Sequence, residues 1–407
     1  MKVLKLSTLL CLAFSSAAFS NENNSTLDVY VSDLKKERFK YDYQKNEAEA
    51  SKLRDSWIAP IQLNYGYSRS KPGEKELVKE NAAIRMDQPI FQSGGIYYGI
   101  KFANASKLYA DYSVDVAKRK MIKEAISTLM QIKQTAFRVS KQELQILNAD
   151  INLEQKKEQY LNGQLDSGFL DDAIIQRNVV IQALYDIQTG KEKLINQFQT
   201  LSDLDYSNVS IPQLEFISGE DFLAHNVVLK QSEAEAKKNE YKKDVTVAKY
   251  LPKVSVTAGY NWTSGEQFIS DGLIINNELA YYDYGVKASM PFDINAFRDV
   301  ESSKVDFLKA QVVTKDTGRT LKALFEQVTH NINNFDKKIK LSDENIDIYS
   351  KLLDDTKKLF KAGYKTEYDV EILENSLKIQ NIDGKIFEID KQLELLTLYE
   401  MYANDGK

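Results

Sequence analysis

Leu251-Pro252-Lys253-Val254-Ser255-Val256-Thr257-Ala258-Gly259-Tyr260-Asn261-Trp262-Thr263 is the stretch on which the fold turns. From Val254 onward apolar and polar residues alternate without a break, which is the two-residue period of a strand with one apolar and one polar face. A second run answers it. Tyr282, Tyr284, Val286, Ala288 and Met290 alternate with Tyr281, Asp283, Gly285, Lys287 and Ser289, and Pro291 stops the pattern. Strands are therefore expected at about 253–264 and 280–291, joined by a loop containing Gly and Asn. Each marked run is about 9 or 10 residues, the length of a tilted strand crossing an outer membrane.

The same device occurs earlier in the chain. Ile61, Leu63, Tyr65 and Tyr67 alternate with Gln62, Asn64, Gly66 and Ser68; Lys71-Pro72-Gly73-Glu74 reads as a turn; Ala82, Ile84 and Met86 alternate with Ala83, Arg85 and Asp87 up to Pro89. That predicts strands at about 60–70 and 80–90, with Pro60, Pro89, Pro252 and Pro291 at the corners between strand and helix. Tyr65, Tyr67, Val256, Tyr260, Trp262, Tyr284 and Val286 are the residues expected to face lipid. The aromatic ones lie toward the loop ends of their strands, where an interfacial girdle sits. A soluble hairpin packed on a core would also alternate. Four such strands would then need a complementary apolar sheet, and the chain offers none.

The rest reads as helix. From about Asn295 to Lys361 only Gly318 interrupts, and Val328, Ile332, Phe335, Ile339, Ser342, Ile346, Tyr349, Leu353, Thr356 and Phe360 form a heptad stripe. It resumes after Gly363 with Ile379, Ile382, Ile386, Ile389, Leu393 and Leu396. The first repeat has a counterpart: a helix from about Gly99 to Leu161, a turn, and a return helix to about Thr200. At about 1.5 Å per residue, a helix of about 65 residues is roughly 100 Å long. The organisation is thus a signal peptide (1–20), a first structural repeat (21–200), a connector (201–219), a second repeat (220–402) and a tail (403–407).

The signal reading rests on Lys2 and Lys5, an apolar run from Leu6 to Phe14, and small residues ahead of Asn21. The one cysteine, Cys11, falls inside it, so the mature chain is expected to hold together by packing or oligomerisation rather than by disulfides. No later stretch has the length and apolarity of a transmembrane helix, so any part that spans a membrane must be strand in a closed barrel. The net charge of -5 is spread along helical faces, which argues against a nucleic-acid partner. His225 and His330 are the only histidines and sit on different predicted helices, too small an inventory for a His/Cys metal site or a nucleophilic triad. Adjacent carboxylates such as Asp171-Asp172 diverge by about 100° on a helix, so they read as solvated faces. Neither enzyme chemistry nor a cofactor is expected.

Four strands cannot close around anything, and a sheet with open edges is untenable in lipid. Several copies must share one barrel. In order, spacing and duplication, Leu251-Pro252-Lys253 before Val254 to Trp262, Gln88-Pro89-Ile90-Phe91 with Gly94-Gly95, Met290-Pro291-Phe292, and Leu359-Phe360-Lys361-Ala362-Gly363 with Thr366 and Asp369 resemble the TolC-type outer-membrane efflux family over the whole mature chain. The resemblance implies a mainly α protein with a membrane β-barrel: a homotrimer whose twelve-stranded barrel continues into an α-barrel of coiled-coil hairpins. It also implies a place in the outer membrane of a Gram-negative cell, extending into the periplasm. There the family serves as exit duct of tripartite pumps or type I secretion systems, working with a periplasmic adaptor and an inner-membrane pump or ABC transporter.

By the same resemblance the turns at Gly163 and Gly363 form the periplasmic tip, with Asp369 ringing the pore mouth and Lys365 helping to hold it closed. Thr366-Glu367-Tyr368-Asp369 also has capping-box spacing, so Asp369 has a structural reading beside the functional one. The family often has a second acid three residues on, where this chain has Ile372. In the first repeat, Gly163 to Gly168 reads as carrying about two additional residues before Asp171 and Asp172, so which of these acids reaches the tip stays open. The competing reading of the whole chain is an exported structural coiled-coil protein, a filament or adhesin stalk capped by soluble strands.

Overall fold

The computed structural model describes residues 27–71, 76–269 and 273–403. The expected signal with Cys11, the turn residues Pro72, Gly73 and Glu74, and the tail beyond Ala403 lie outside the described residues. The elements run α1 (Asp33–Arg54), β1 (Gln62–Ser70), β2 (Leu77–Phe91), α2 (Gly95–Leu161), α3 (Ser167–Leu201), α4 (Gly219–Ala224), α5 (Val227–Lys249), β3 (Lys253–Ile269), β4 (Leu273–Ser289), α6 (Ala296–Lys361) and α7 (Glu367–Tyr399).

The helices form a single layer. α2 and α6, of 67 and 66 residues, run unbroken from the sheet to the far end, roughly 100 Å each at about 1.5 Å per residue. The other rows are built from two helices set end to end. The Ser32 N–H donates to the Leu201 carbonyl at 2.9 Å, so α3 abuts α1; the Val227 N–H donates to the Met401 carbonyl at 2.8 Å, so α7 abuts α5. α2 packs on α1 and α3 along one flank and on α5 and α7 along the other, while α6 packs on α5, α7 and the short α4 that leads into α5. α6 and the α1/α3 row are therefore the two free edges of the layer.

The core sits at mid-height, where the joints fall. Ile126, Leu129, Phe198, Phe222, Leu396 and Leu398 are wholly buried there, and the connector between α3 and α4 wraps them with Leu214 and Ile217. Residues 220–248 read as one helix in the sequence but form two. Asn226, fully buried, accepts from the Val228 and Leu229 N–H groups at 3.0 Å each and restarts the helix as an N-cap.

The strands form one antiparallel sheet in the order β1-β2-β3-β4, so the first repeat joins the second through β2 and β3. β2, β3 and β4 have 15, 17 and 17 residues, longer than the alternation marks. The extra length lies beyond Trp262, where Ser264, Glu278 and Glu80 continue the apolar face with polar side chains. Among the described residues no helix covers either face of the sheet, and no helix is long and apolar enough to cross a membrane.

Candidate functional site

Two places hold the residues that the sequence singled out: the faces of the sheet and the far end of the helices. In the sheet, register decides everything, because a one-residue slip moves every side chain to the other face. Here all three pairings are in phase. Leu63 opposes Ile84, Tyr65 opposes Ala82, Ile84 opposes Tyr260, Ala82 opposes Trp262, Val256 opposes Val286 and Tyr260 opposes Tyr282. One face thus gathers Tyr65, Tyr67, Val256, Tyr260, Trp262, Tyr284 and Val286, and it is open: Tyr284 is 80% and Val286 74% exposed. The Tyr282 and Tyr284 rings stack on it at 6.4 Å.

The opposite face is polar and flat. The Arg85 guanidinium donates to Asn261 Oδ1 at 3.0 Å, and Asn261 Nδ2 donates to Asp283 at 2.7 Å, a chain of side chains lying across three strands. Glycines make room for it. A Cβ on Gly259 would stand 2.8 Å from Asp283 Oδ1, and one on Gly66 would stand 2.7 Å from Asn81 Oδ1. Pro60 and Pro252 precede β1 and β3; Pro291 follows β4; Pro89 lies near the end of β2, where the register with β3 shifts between Pro89 and Phe91.

At the far end, α2 turns into α3 through Gly163 (φ +69°) and α6 into α7 through Gly363 (φ +81°). Both close the same way. The Gly163 N–H donates to Tyr160 and Gln164 to Gln159; the Gly363 N–H donates to Phe360 and Tyr364 to Leu359, the paired bonds of a left-handed helix cap. Each gap between helices spans five residues, 162–166 and 362–366, so the first turn carries no additional residues. The sequence misled because the pair Asp171-Asp172 drew the alignment, whereas the turn is set by its cap: Asp166, accepting from the Gly168 N–H at 2.9 Å, stands where Thr366 stands. Counted from these caps, Phe169 matches Asp369, and Asp171 and Asp172 lie exposed further along α3.

Asp369 is engaged locally. Thr366 Oγ1 accepts from the Asp369 N–H at 3.2 Å and the Asp369 carboxylate accepts from the Thr366 N–H at 3.0 Å, a complete capping box. That backbone bond holds the Asp369 carboxyl below the usual carboxylate range, burial opposing slightly; Lys365 Nζ, 3.7 Å away, adds to the lowering. The residue beside it is one the sequence reading passed over. The Tyr368 hydroxyl donates to Glu158 Oε1 at 2.9 Å, tying the second hairpin to the first at their common end, and this bond raises the phenol pKa. No residue type or spacing marks such a tie, because its partners are 210 positions apart. The equivalent of Tyr368 in the first turn is Gly168, so the tie exists once per chain.

The histidines stay apart: His225 lies at mid-height with Nδ1 2.9 Å from Asp221 Oδ1, and His330 lies on α6.

No family model matches the chain, and no curated protein sequence matches it. Solved structures do. The chain is similar to the outer membrane protein VceC of Vibrio cholerae, with TM-score 0.71 and 13% identity over 93% of this chain and 95% of that one. It is similar to the CmeC outer membrane channel of Campylobacter jejuni, with TM-score 0.71 and 13% identity over 93% and 86%. The open state of the MtrE outer membrane channel of Neisseria gonorrhoeae gives TM-score 0.62 and 11% identity over 92% and 88%. The chain thus has the fold of these channels, a layer of long helices joined to a four-stranded sheet, which is the fold that the TolC-type resemblance implied.

Proposed function

We propose that the protein is an outer-membrane exit duct, three copies of which close a twelve-stranded barrel continuous with a helical tube in the periplasm of a Gram-negative cell. The observation that carries this reading is the register of the sheet. It makes one face apolar from Val254 to Trp262, with Gln88 the one polar side chain in that band, while β1 and β4 are left as unpaired edges. In lipid such edges must be paired. The free edges of the helical layer lie on the matching sides: α6 follows β4, and α1 precedes β1. One copy's β4/α6 edge therefore meets the next copy's β1/α1/α3 edge, a head-to-tail contact that closes into a ring.

α6 carries a second apolar stripe for that contact. Leu341, Ile348, Leu352 and Leu359 are exposed, one position before the buried stripe of Ser342 and Thr356 in the heptad. The α3 edge offers Ile174, Ile175, Val179 and Tyr185, also exposed.

The duct is passive, and its gate lies at the helical tip, where the Tyr368–Glu158 tie joins the two hairpins. An adaptor protein and an inner-membrane pump or ABC transporter engaging this end would open it, for efflux or for type I secretion. The test is the size and conductance of the detergent-extracted protein. A trimer that forms ion-conducting units in a planar bilayer is expected. A protein freely soluble in the periplasm, or a monomer in mild detergent, would point to the structural coiled-coil reading.

A further inference from the structure

The polar face of the sheet, the lumen face in the barrel reading on which this inference rests, carries large apolar side chains in two places: Leu77 and Ile275, out beyond the apolar band of the other face, and a pair at the margin of that band. Leu279 and Tyr281, the pair, belong to the polar face by register, since Leu279 opposes Thr263 and Tyr281 opposes Asn261. They are 53% and 48% exposed. Their neighbours on β4 to either side, Ala280 and Tyr282, point to the lipid face, so around position 280 this strand is apolar on both sides.

An apolar side chain on a water-facing wall is tolerable if it can lie in a hollow. The glycine hollows nearest to Leu279 and Tyr281 on this wall are filled. Asn81 covers Gly66, Asp283 covers Gly259, and the Val78 carbonyl and Lys79 backbone close over Gly265, each within 2.9 Å of where a Cβ would be. The polar side chains are flattened against the wall by one another, as the Arg85–Asn261–Asp283 chain shows. Leu279 and Tyr281 have no such partner to lie along. They stand level with Trp262 and Thr263, the row at which the apolar band on the outside ends, so they sit at the outer mouth of the bilayer-spanning part.

We infer that Leu279 and Tyr281 of the three copies form an apolar collar inside the barrel, near its outer end, which makes contact with apolar and aromatic parts of molecules as they leave. Twelve strands about 4.8 Å apart and tilted about 40° give a backbone radius of about 12 Å. Three leucines and three tyrosines reaching inward take a substantial part of that opening. A charged molecule without apolar surface passes the collar; an amphipathic one dwells on it.

The experiment uses the full-length protein in a planar bilayer. Tetraphenylphosphonium added from the barrel side is expected to lower the conductance at concentrations where tetramethylammonium, of equal charge, does not. The Leu279→Ser, Tyr281→Ser double variant should lose that difference and Tyr282→Ser, on the lipid face, should keep it. Because Cys11 is the one cysteine in the sequence, a cysteine at position 281 or 282 in a Cys11→Ser background is a unique handle. A charged thiol reagent should cut the conductance roughly twofold through Tyr281→Cys, as expected where side chains already narrow a barrel of about 12 Å backbone radius, and leave Tyr282→Cys unaffected. A conducting channel that treats the two cations alike, or in which neither cysteine responds, overturns the collar alone. A protein that forms no conducting unit overturns the barrel reading and the collar together.

Discussion

Tyr368 and Glu158, 210 residues apart, meet at 2.9 Å across the end of the molecule, and theirs is a tie between the two hairpins close to the turns. It is exposed, and in the proposed duct it would part when the tip opens. Removing the donor should favour the parted state with little effect on the fold. Tyr368→Phe is expected to raise single-channel conductance while leaving the melting temperature of the assembly unchanged; a variant with wild-type conductance would show that the tie does not hold the gate.

Asp369 has two possible jobs, and they separate by measurement. If its charge faces the pore, Asp369→Asn should lower cation preference in a salt gradient. If it only completes the cap, selectivity should stay the same and only the start of α7 should fray. Thr366→Ala removes the cap but keeps the charge, at a cost of about 1 kcal/mol to the local helix.

The cap also has a pH signature. The Thr366 N–H lowers the folded-state pKa of Asp369 below its unfolded value of about 3.9. Its contribution is therefore complete above that unfolded value and is lost as pH falls through the lower, folded value. The protection of amides in residues 366–372, measured against the intrinsic exchange rate at each pH, should be high at pH 6 and fall below about pH 4 more than in the middle of α7.

The two faces of the sheet should respond oppositely to charge. Val256→Lys places an ammonium among Val286 and Gln88 on the apolar face and should cost about 2 to 4 kcal/mol in the bilayer. Thr257→Lys, one residue on, points to the other face and should assemble normally. Yield of heat-resistant trimer from outer membranes reads the difference; equal yields would mean that neither face meets lipid.

Ring closure should fail when its helical edge is charged. Ile348, 60% exposed in the single chain, lies in the middle of the second stripe of α6. Ile348→Glu is expected to yield monomers in mild detergent, whereas a Glu in place of Lys351, an exposed polar position, should not.

Much of this was legible in the sequence, and what was not has a common cause. The alternation of Val254 to Trp262 and the heptads from Val328 to Phe360 are periodic, and periodic signals survive without knowledge of partners. The pairing of β2 with β3 is not periodic; it is a choice among edges that only tertiary structure makes. The break at His225 and Asn226 rests on one side chain capping two N–H groups, a signal too short to outweigh the helical text around it. The first tip turn was misjudged because acids were matched to acids, while the geometry followed Asp166 and Gly163. The Tyr368 tie left no trace in local sequence at all.

The joints at Ser32–Leu201 and Val227–Met401 have a mechanical consequence. In the proposed tube each chain would supply two unbroken rods, α2 and α6, alternating with two rods that are merely butted end to end. In the jointed pair the lower segment can turn against its rod while the upper segment stays still, because a backbone hydrogen bond and a packed core, rather than a continuous helix, connect them. In the proposed duct the lower half would then be free to dilate like an iris while the upper half kept the bore of the barrel.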